Sequence, residues 1–402
     1  MKILVLDEFL CYPIDSGKKV RSYNLLRQLA ERHQITLLCF VWGDAREHEG
    51  IEHLRSIGIE VVTVTRNNPA KSGVAFYFRL CANLFSPLPY IVAGHISSTY
   101  RERLAQLVAG RKPDLLLAEW SPYAIYLKEY SHIPRVAVAH NIESNIWRGY
   151  VEKSRSWARR MYVNLQYRKV IRFEHETFGW LDGLITVSPV EQEQVRKGYP
   201  GLKVALVDNG VDTEYFAPSS SIEEECLVSF TGSMDWRPNQ DGIDYFIRTI
   251  LPPLRAQVPE VRVLIIGRQP PEWLVAFGRG HGVDFTGSVA DVRPDMRRTA
   301  VSIVPLRIGG GSRLKILEAL AMEKAVVSTV LGAEGLAITP GEQALVADEP
   351  QAFAESVARL LRDKSERQRL GRAGRALVTE RYRWDSLAGK QSDFLERVVH
   401  ER

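Results

Sequence analysis

Short apolar runs rich in β-branched residues alternate with amphipathic stretches along the whole chain. In the first half the pattern predicts strands near Lys2–Asp7, Gln34–Phe40, Glu60–Val64, Asp114–Glu119, Arg135–Ala139 and Gly183–Val187. Helical spacing recurs over Val20–Arg32, Ser97–Val108 and Val190–Gly198. Continuous runs such as Leu115-Leu116-Leu117 suit strands of a parallel sheet covered on both faces. The turn-rich Asp208-Asn209-Gly210-Val211-Asp212 and the polar Ala217-Pro218-Ser219-Ser220-Ser221 interrupt the alternation.

Beyond that link the alternation restarts. Strands are predicted at Leu227–Thr231, Val261–Ile266, Val283–Thr286, Val301–Val304, Ala325–Ser328 and Ala344–Val346, with helices near Asp241–Ile250, Arg313–Met322 and Gln351–Arg362. The expected fold class is therefore α/β: two doubly wound, Rossmann-like domains facing a cleft, with ligands at strand carboxyl ends. The expected boundaries are 1–205 for the first domain, 206–383 for the second, and 384–402 for a terminal helix crossing back onto the first.

Composition adds exclusions. The 402 residues are 45% hydrophobic and 25% charged, an ordinary balance for a folded chain, and the formal charge is only +5. That is too mild to suggest nucleic acid as a partner. Residues 1–205 carry 28 Lys/Arg against 20 Asp/Glu, whereas residues 206–402 carry 25 against 28. Cys11, Cys39, Cys81 and Cys226 stand far apart, so neither structural zinc nor a disulfide framework is expected. No basic-then-apolar leader opens the sequence, and the uncharged stretch between Arg79 and Arg101 is broken by Pro87 and Pro89. A cytoplasmic chain is expected.

The densest chemical signal is Pro305-Leu306-Arg307-Ile308-Gly309-Gly310-Gly311-Ser312-Arg313-Leu314-Lys315. A buried strand empties into three glycines, and a helix is expected to open at Ser312. Consecutive glycines let backbone N–H groups approach a ligand, and a helix amino end favours an anion. Arg313 and Lys315 in the first turn oppose the helix dipole, a conflict that a bound phosphate resolves. The plain alternative is a glycine-rich turn with two solvated cations. Glu318, one turn further, can accept two hydroxyls as a ribose presents them, or simply pair with Lys315.

The run Gly311–Ala321, followed by Ala325-Val326-Val327-Ser328-Thr329 and Gly332-Ala333-Glu334-Gly335, resembles the donor-binding region of retaining family-four glycosyltransferases. These are GT-B enzymes that use nucleotide sugars. Asn209-Gly210-Val211-Asp212, Ile185-Thr186-Val187-Ser188 and His140-Asn141-Ile142-Glu143 match in the same order. Phe230-Thr231-Gly232-Ser233-Met234-Asp235-Trp236-Arg237-Pro238-Asn239 is similar to a subgroup among bacterial exopolysaccharide sugar transferases.

The resemblance implies that Glu318 binds the nucleotide ribose, that His140 faces the donor sugar, and that Gly17 lies in a loop admitting donor phosphate and acceptor. It also implies retention by same-face attack. Two departures matter: Gly310 stands where the family's first glutamate would, and the family's Gly-Arg…Lys-Gly phosphate clamp is broken at Ser233 and Asp241. Arg313 and Lys315, assisted by Arg237 or Arg268, are therefore the expected diphosphate counter-charges, with Gly309, Gly310, Gly311 and Ser312 lining the donor.

No D-x-D pair and no paired-histidine spacing occurs, so metal-independent transfer is expected, with fixed cations stabilising the leaving group. The donor is a co-substrate, and no cofactor is expected. Seven cations and no acid lie between Lys153 and Arg172, interleaved with Trp157, Tyr162 and Tyr167. Of these, Lys153, Arg155, Arg159 and Arg160 are the candidates for an anionic or lipid-linked acceptor, or for peripheral contact at the inner face of a membrane. The Val74–Val92 stretch either lines the acceptor side or packs as core. Two other functions are weighed: a nucleotide-sugar-binding module without transfer, and a nucleotide-sugar epimerase.

Overall fold

The computed structural model describes residues 1–66, 73–154, 156–219, 223–308 and 313–402. The chain divides into two compact units, Met1–Asp208 with Asp385–Arg402, and Asn209–Trp384. Both are Rossmann-like α/β units built on an all-parallel sheet.

The first unit has seven strands: β1 (Lys2–Leu6), β2 (Gln34–Val41), β3 (Ile59–Thr65), β4 (Leu115–Ala118), β5 (Arg135–Ala139), β6 (Gly183–Thr186) and β7 (Lys203–Leu206). Their order is β3-β2-β1-β4-β5-β6-β7, so the winding reverses between β1 and β4. Ile3 of β1 is flanked by Ile35 on one side and Leu115 on the other. β4 and β5 are buried at every position, which explains the unbroken apolar runs Leu115–Ala118 and Val136–Ala139. β7, absent from the sequence reading, is a four-residue edge strand only partly buried throughout. Its Lys-Val-Ala-Leu pattern is too short and too mixed to stand out.

The second unit has β8 (Leu227–Thr231), β9 (Arg262–Ile266), β10 (Val283–Gly287), β11 (Val301–Val304), β12 (Ala325–Ser328) and β13 (Leu345–Val346). Their order is β10-β9-β8-β11-β12-β13, with the reversal between β8 and β11. Its core joins Val228, Phe230, Ile265, Ile303, Leu317 and Phe353 from both faces of the sheet. The terminal helix, Trp384–His400, belongs from Asp385 onward to the first unit. There Phe394 and Val398 close over Gly183, and His33 Nε2 meets Ser392 Oγ at 2.7 Å.

Two expectations about local structure change. Gly17 lies in the first turn of a helix rather than in a loop: the helix runs Gly17–Ala30, capped by Ser16, whose Oγ accepts from Lys19 N. The helix that follows the glycine run is described from Leu314, with Arg313 as its cap, and Ser312, where it was expected to open, lies outside the described residues.

Gly267 follows β9 with φ +156°, and a Cβ there would lie 1.9 Å from the Gly232 carbonyl oxygen. Only glycine lets the ends of β8 and β9 come this close. Gly267→Ala should therefore destabilise the second unit by about 2–3 kcal/mol in urea unfolding. Gly280→Ala, on a helix with nothing within 4 Å, should leave stability unchanged or slightly raised. Equal midpoints for the two variants would contradict this account.

Candidate functional site

In each unit, chemistry-bearing side chains gather where strands adjoining the reversal of winding release their carboxyl ends, the position at which open parallel sheets bind ligands. The two clusters are described in turn.

In the second unit, β8 leads into Gly232, and the Leu314–Ala321 helix presents Lys315 from the far side of the reversal. Lys315 Nζ donates to Asn239 Oδ1 at 2.7 Å and lies 4.1 Å from the centre of the Phe230 ring. A Cβ on Gly232 would sit 3.0 Å from the same amine, so the missing side chain keeps the ammonium approachable. Burial pulls the Lys315 pKa down to about 7, with Arg313 adding repulsion and Glu318 partly offsetting it. Glu318 is pushed up to about 7, also by burial, against the pull of Lys315. The lysine thus bonds to an amide, and no direct Lys315–Glu318 ion pair forms. A carboxyl and an amine both poised near neutrality are suited to a ligand that completes their charge balance.

The other cations expected here differ in availability. Arg313 is 7% exposed, with Nη2 3.3 Å from Glu334 Oε2 and Nε donating to the Glu334 carbonyl, so its charge is already compensated. Arg268 donates from Nε to Ser233 Oγ at 2.8 Å and approaches Asp235. Arg237 opens the Arg237–Tyr245 helix, is exposed, and pairs with no described residue. Gly309, Gly310, Gly311 and Ser312 lie outside the described residues.

In the first unit, β1 is followed by Asp7 and Glu8, β4 by Glu119 and Trp120, and β5 by His140. Lys18, from the Gly17–Ala30 helix, bridges Asp7 Oδ1 at 2.7 Å and Glu8 Oε1 at 2.8 Å. Burial weakens the Lys18 proton, but the two carboxylates more than reverse this and leave it above its ordinary value. Asp7 is fully buried, and its Oδ2 has no partner among the described residues. Burial raises Asp7 despite Lys18.

His140 Nε2 meets the Glu119 carbonyl oxygen at 2.7 Å. A carbonyl only accepts, so Nε2 carries the proton and Nδ1 is left as an acceptor. Burial, with Lys18 and Arg21 adding positive potential, holds the ring well below its usual pKa and therefore neutral. Glu119, 1% exposed and bonded to Ser22 Oγ at 2.9 Å, is raised to about 7 by burial and by Asp7. Glu143 starts the Glu143–Lys153 helix and accepts from Trp120 Nε1 at 2.9 Å. Burial and the neighbouring Glu174 raise it to about 7 as well.

Sequence reasoning named Gly17 and His140 here but missed Asp7, Glu8, Lys18 and Trp120, and gave Glu119 and Glu143 no role. The signal was present, since each follows a strand or begins the next helix. In the second unit it missed Phe230, Gly232 and Asn239 as the setting of Lys315. The Lys153–Arg172 block is split between two helices, Glu143–Lys153 and Trp157–Phe178. Arg159 and Arg160 are exposed on the second; Arg155 lies outside the described residues, as does the Lys153 side chain.

The sequence pattern of Glycosyltransferase Family 4 matches residues 16–215, and that of glycosyl transferases group 1 matches residues 225–363. The chain belongs to the group 1, family-four glycosyltransferases. A GDP-mannose-dependent alpha-(1-6)-phosphatidylinositol monomannoside mannosyltransferase of Mycobacterium tuberculosis is 30% identical over 220 residues. That match spans 49% of this chain and 56% of the relative, just over half its length. Glycogen synthase from the same organism is 24% identical over 74% of this chain and 72% of its own. Among solved structures, sucrose-phosphate synthase from Thermosynechococcus elongatus shares the fold over 100% of both chains, with TM-score 0.73 and 16% identity. HepE from Anabaena, solved with UDP, covers 98% of this chain and 100% of its own, with TM-score 0.66 and 16% identity. The architecture is thus that of GT-B proteins.

The Glu318 pKa sets a sign for stability. Between pH 4.5 and 7 the folded chain holds a proton here that the unfolded chain has released. This contribution is full below pH 4.5 and is lost as pH rises through 7. Relative to Glu318→Gln, the wild type should lose on the order of 2 kcal/mol between pH 5 and pH 7.5, then stay level. Parallel urea-midpoint curves for the two proteins would remove the basis for a neutral Glu318 in its half-buried setting.

Proposed function

We propose that this chain is a retaining, metal-independent glycosyltransferase. It moves a sugar from a UDP- or GDP-linked donor to a saccharide or lipid-linked acceptor in bacterial polysaccharide or glycoconjugate synthesis. The observation that carries the reading is Lys315, held by Asn239 over Phe230 beneath a bare Gly232, with Glu318 one helical turn further on. A nucleoside diphosphate complements both residues: the diphosphate restores the lysine's proton, and ribose hydroxyls bond the carboxylate.

In this reading Lys315 neutralises charge developing on the leaving diphosphate, and exposed Arg237 supplies the second mobile cation. Arg313, tied to Glu334, shapes the potential around Lys315, and Arg268 orders the Gly232–Asp235 turn. The neutral His140 ring offers Nδ1 to a sugar hydroxyl. The departing phosphate oxygen takes the acceptor's proton, so the protein contributes positioning and leaving-group stabilisation. The acceptor belongs with the first unit, which also makes peripheral contact with the inner face of a membrane. Support comes from family membership, from the UDP bound in HepE, and from the GDP-mannose dependence of the mycobacterial relative.

One observation favours a second reading, a nucleotide-sugar-binding module without transfer: Gly310 replaces the family's first glutamate. A panel of nucleotide sugars assayed in EDTA separates the two. Transfer predicts nucleotide release from at least one donor, a fall of about a hundredfold or more in kcat for Lys315→Ala, and at least about tenfold weaker UDP or GDP binding for Glu318→Ala. Binding without release from any donor supports the module. Failure of both nucleotides to bind, or normal turnover by Lys315→Ala beside an inactive Arg237→Ala, overturns the assignment.

A further inference from the structure

Two consecutive side-chain amides join the turn after β8 to the helix that follows it. Asn239 and Gln240 stand in the first turn of the Arg237–Tyr245 helix. Asn239 Nδ2 donates to the Ser233 carbonyl at 2.7 Å, and Gln240 Nε2 to the Met234 carbonyl at 2.7 Å. The same turn is tied to β9 and the residues after it: Gly232 N donates to the Ile266 carbonyl and Met234 N to the Arg268 carbonyl, both at 2.9 Å. Within this frame Asn239 is 6% exposed.

Asn239 has a second task, since its Oδ1 accepts from Lys315 Nζ at 2.7 Å. The chemistry fixes how the amide points. A carbonyl only accepts and an ammonium only donates, so the nitrogen faces Ser233 and the oxygen faces Lys315. One side chain thereby connects the end of β8 to the Leu314–Ala321 helix on the other side of the reversal.

What Asn239 does not bring is charge. The acids nearest to it in sequence are engaged elsewhere. Asp241 accepts from Arg307 Nε at 3.2 Å and Nη2 at 2.9 Å, Asp244 accepts from Arg248 Nε at 2.8 Å, and Asp235 lies 3.5 Å from Arg268 Nη2. Around the lysine, Arg313 repels it and Glu318 offsets its burial in part. Phe230 presents a ring face, and Gly232 no side chain. Among the described residues Lys315 thus has a fixed position and no ion-pair partner. A carboxylate at position 239 would fill the same space and bind the amine more strongly, but it would occupy the charge that a diphosphate needs.

We propose that Asn239 is a positioning residue for diphosphate binding: its amide fixes the Lys315 amine against the turn after β8 and leaves the lysine's charge to the ligand. The proposal rests on the nucleoside-diphosphate reading of Lys315 given above and adds how that site is kept open. It has a consequence for pH. Burial holds the Lys315 pKa at about 7, whereas a bound diphosphate keeps the amine charged. Binding then takes up a proton, so affinity is full below pH 7 and falls as pH rises above it. The terminal phosphate of the ligand titrates near pH 6 and does not contribute in that range.

UDP and GDP binding to the full chain is measured by calorimetry in EDTA across about pH 6.5 to 9 for wild type, Asn239→Asp and Asn239→Ala. The wild-type dissociation constant should rise above pH 7 by up to about tenfold per pH unit. Asn239→Asp should bind at least about tenfold more weakly at pH 7 and show no such rise, because its carboxylate keeps the lysine charged throughout. Asn239→Ala should bind more weakly with the wild-type slope, since it removes the anchor and adds no charge. A second readout needs no ligand. With lysine labelled at 13Cε and Lys315 assigned through Lys315→Arg, its resonance should titrate near neutrality in wild type and Asn239→Ala. In Asn239→Asp it should move toward the ordinary lysine range, about pH 10. Should the aspartate variant fail to fold, the alanine variant decides: a retained slope supports the proposal, and a lost one overturns it. A wild-type slope or an unmoved Lys315 titration in Asn239→Asp overturns the role of Asn239 and leaves the nucleotide site standing. Failure of both nucleotides to bind wild type overturns the nucleotide reading, and this proposal with it.

Discussion

A sheet whose strands all run one way must send every connection back across a face, so helices cover both sides and the sheet is buried. The carboxyl ends of the strands then share one edge. Where the winding reverses, neighbouring connections leave in opposite directions and open a space that no helix fills. Both units obey this constraint, between β1 and β4 and between β8 and β11. Residues distant in sequence meet there: Asp7 with Lys18 in the first unit, and Lys315 with Asn239 in the second.

Burial, rather than the number of charges, gives these clusters their character. Glu119, Glu143, Lys315 and Glu318 are all drawn to about pH 7, and burial is the leading cause each time. The cations near the second cluster show the contrast. Arg313 is paired with Glu334, whereas Lys315, among the described residues, donates to an amide and lies over an aromatic face, with Glu318 offsetting its burial only in part. A charge without a counter-charge in a partly dry setting is strained toward neutrality, and an arriving anion relieves that strain. The Val74–Leu84 helix shows the apolar counterpart, with Val74, Tyr77 and Phe78 left exposed among the described residues.

Twelve of the strands were legible because buried parallel strands carry unbroken apolar or β-branched runs; Leu115–Leu117 and Ala325–Ser328 admit few other readings. β7 was not, since a short edge strand half in water keeps no clean pattern. The helix at Lys315 and Glu318 was legible in position, but its first residue was misplaced by two. Glycine, serine and arginine can each precede a helix, and only backbone geometry picks the cap. The Val74–Val92 stretch was ambiguous for a deeper reason. Apolar periodicity identifies which residues share a face, but not the direction in which that face points.

By itself the sequence determined the two parallel α/β units, the link between them, the family, and the residues Lys315, Glu318 and His140 as candidates, because local runs and ordered motifs encode these. Only the tertiary structure decided the partners. It gave Lys315 to Asn239, Arg313 to Glu334 and His140 to the Glu119 carbonyl, and it turned the aromatic face of the Val74–Leu84 helix outward. The physical reason is one of range. A strand or helix is specified by residues a few positions apart, whereas burial and pairing depend on groups brought together across tens to hundreds of positions.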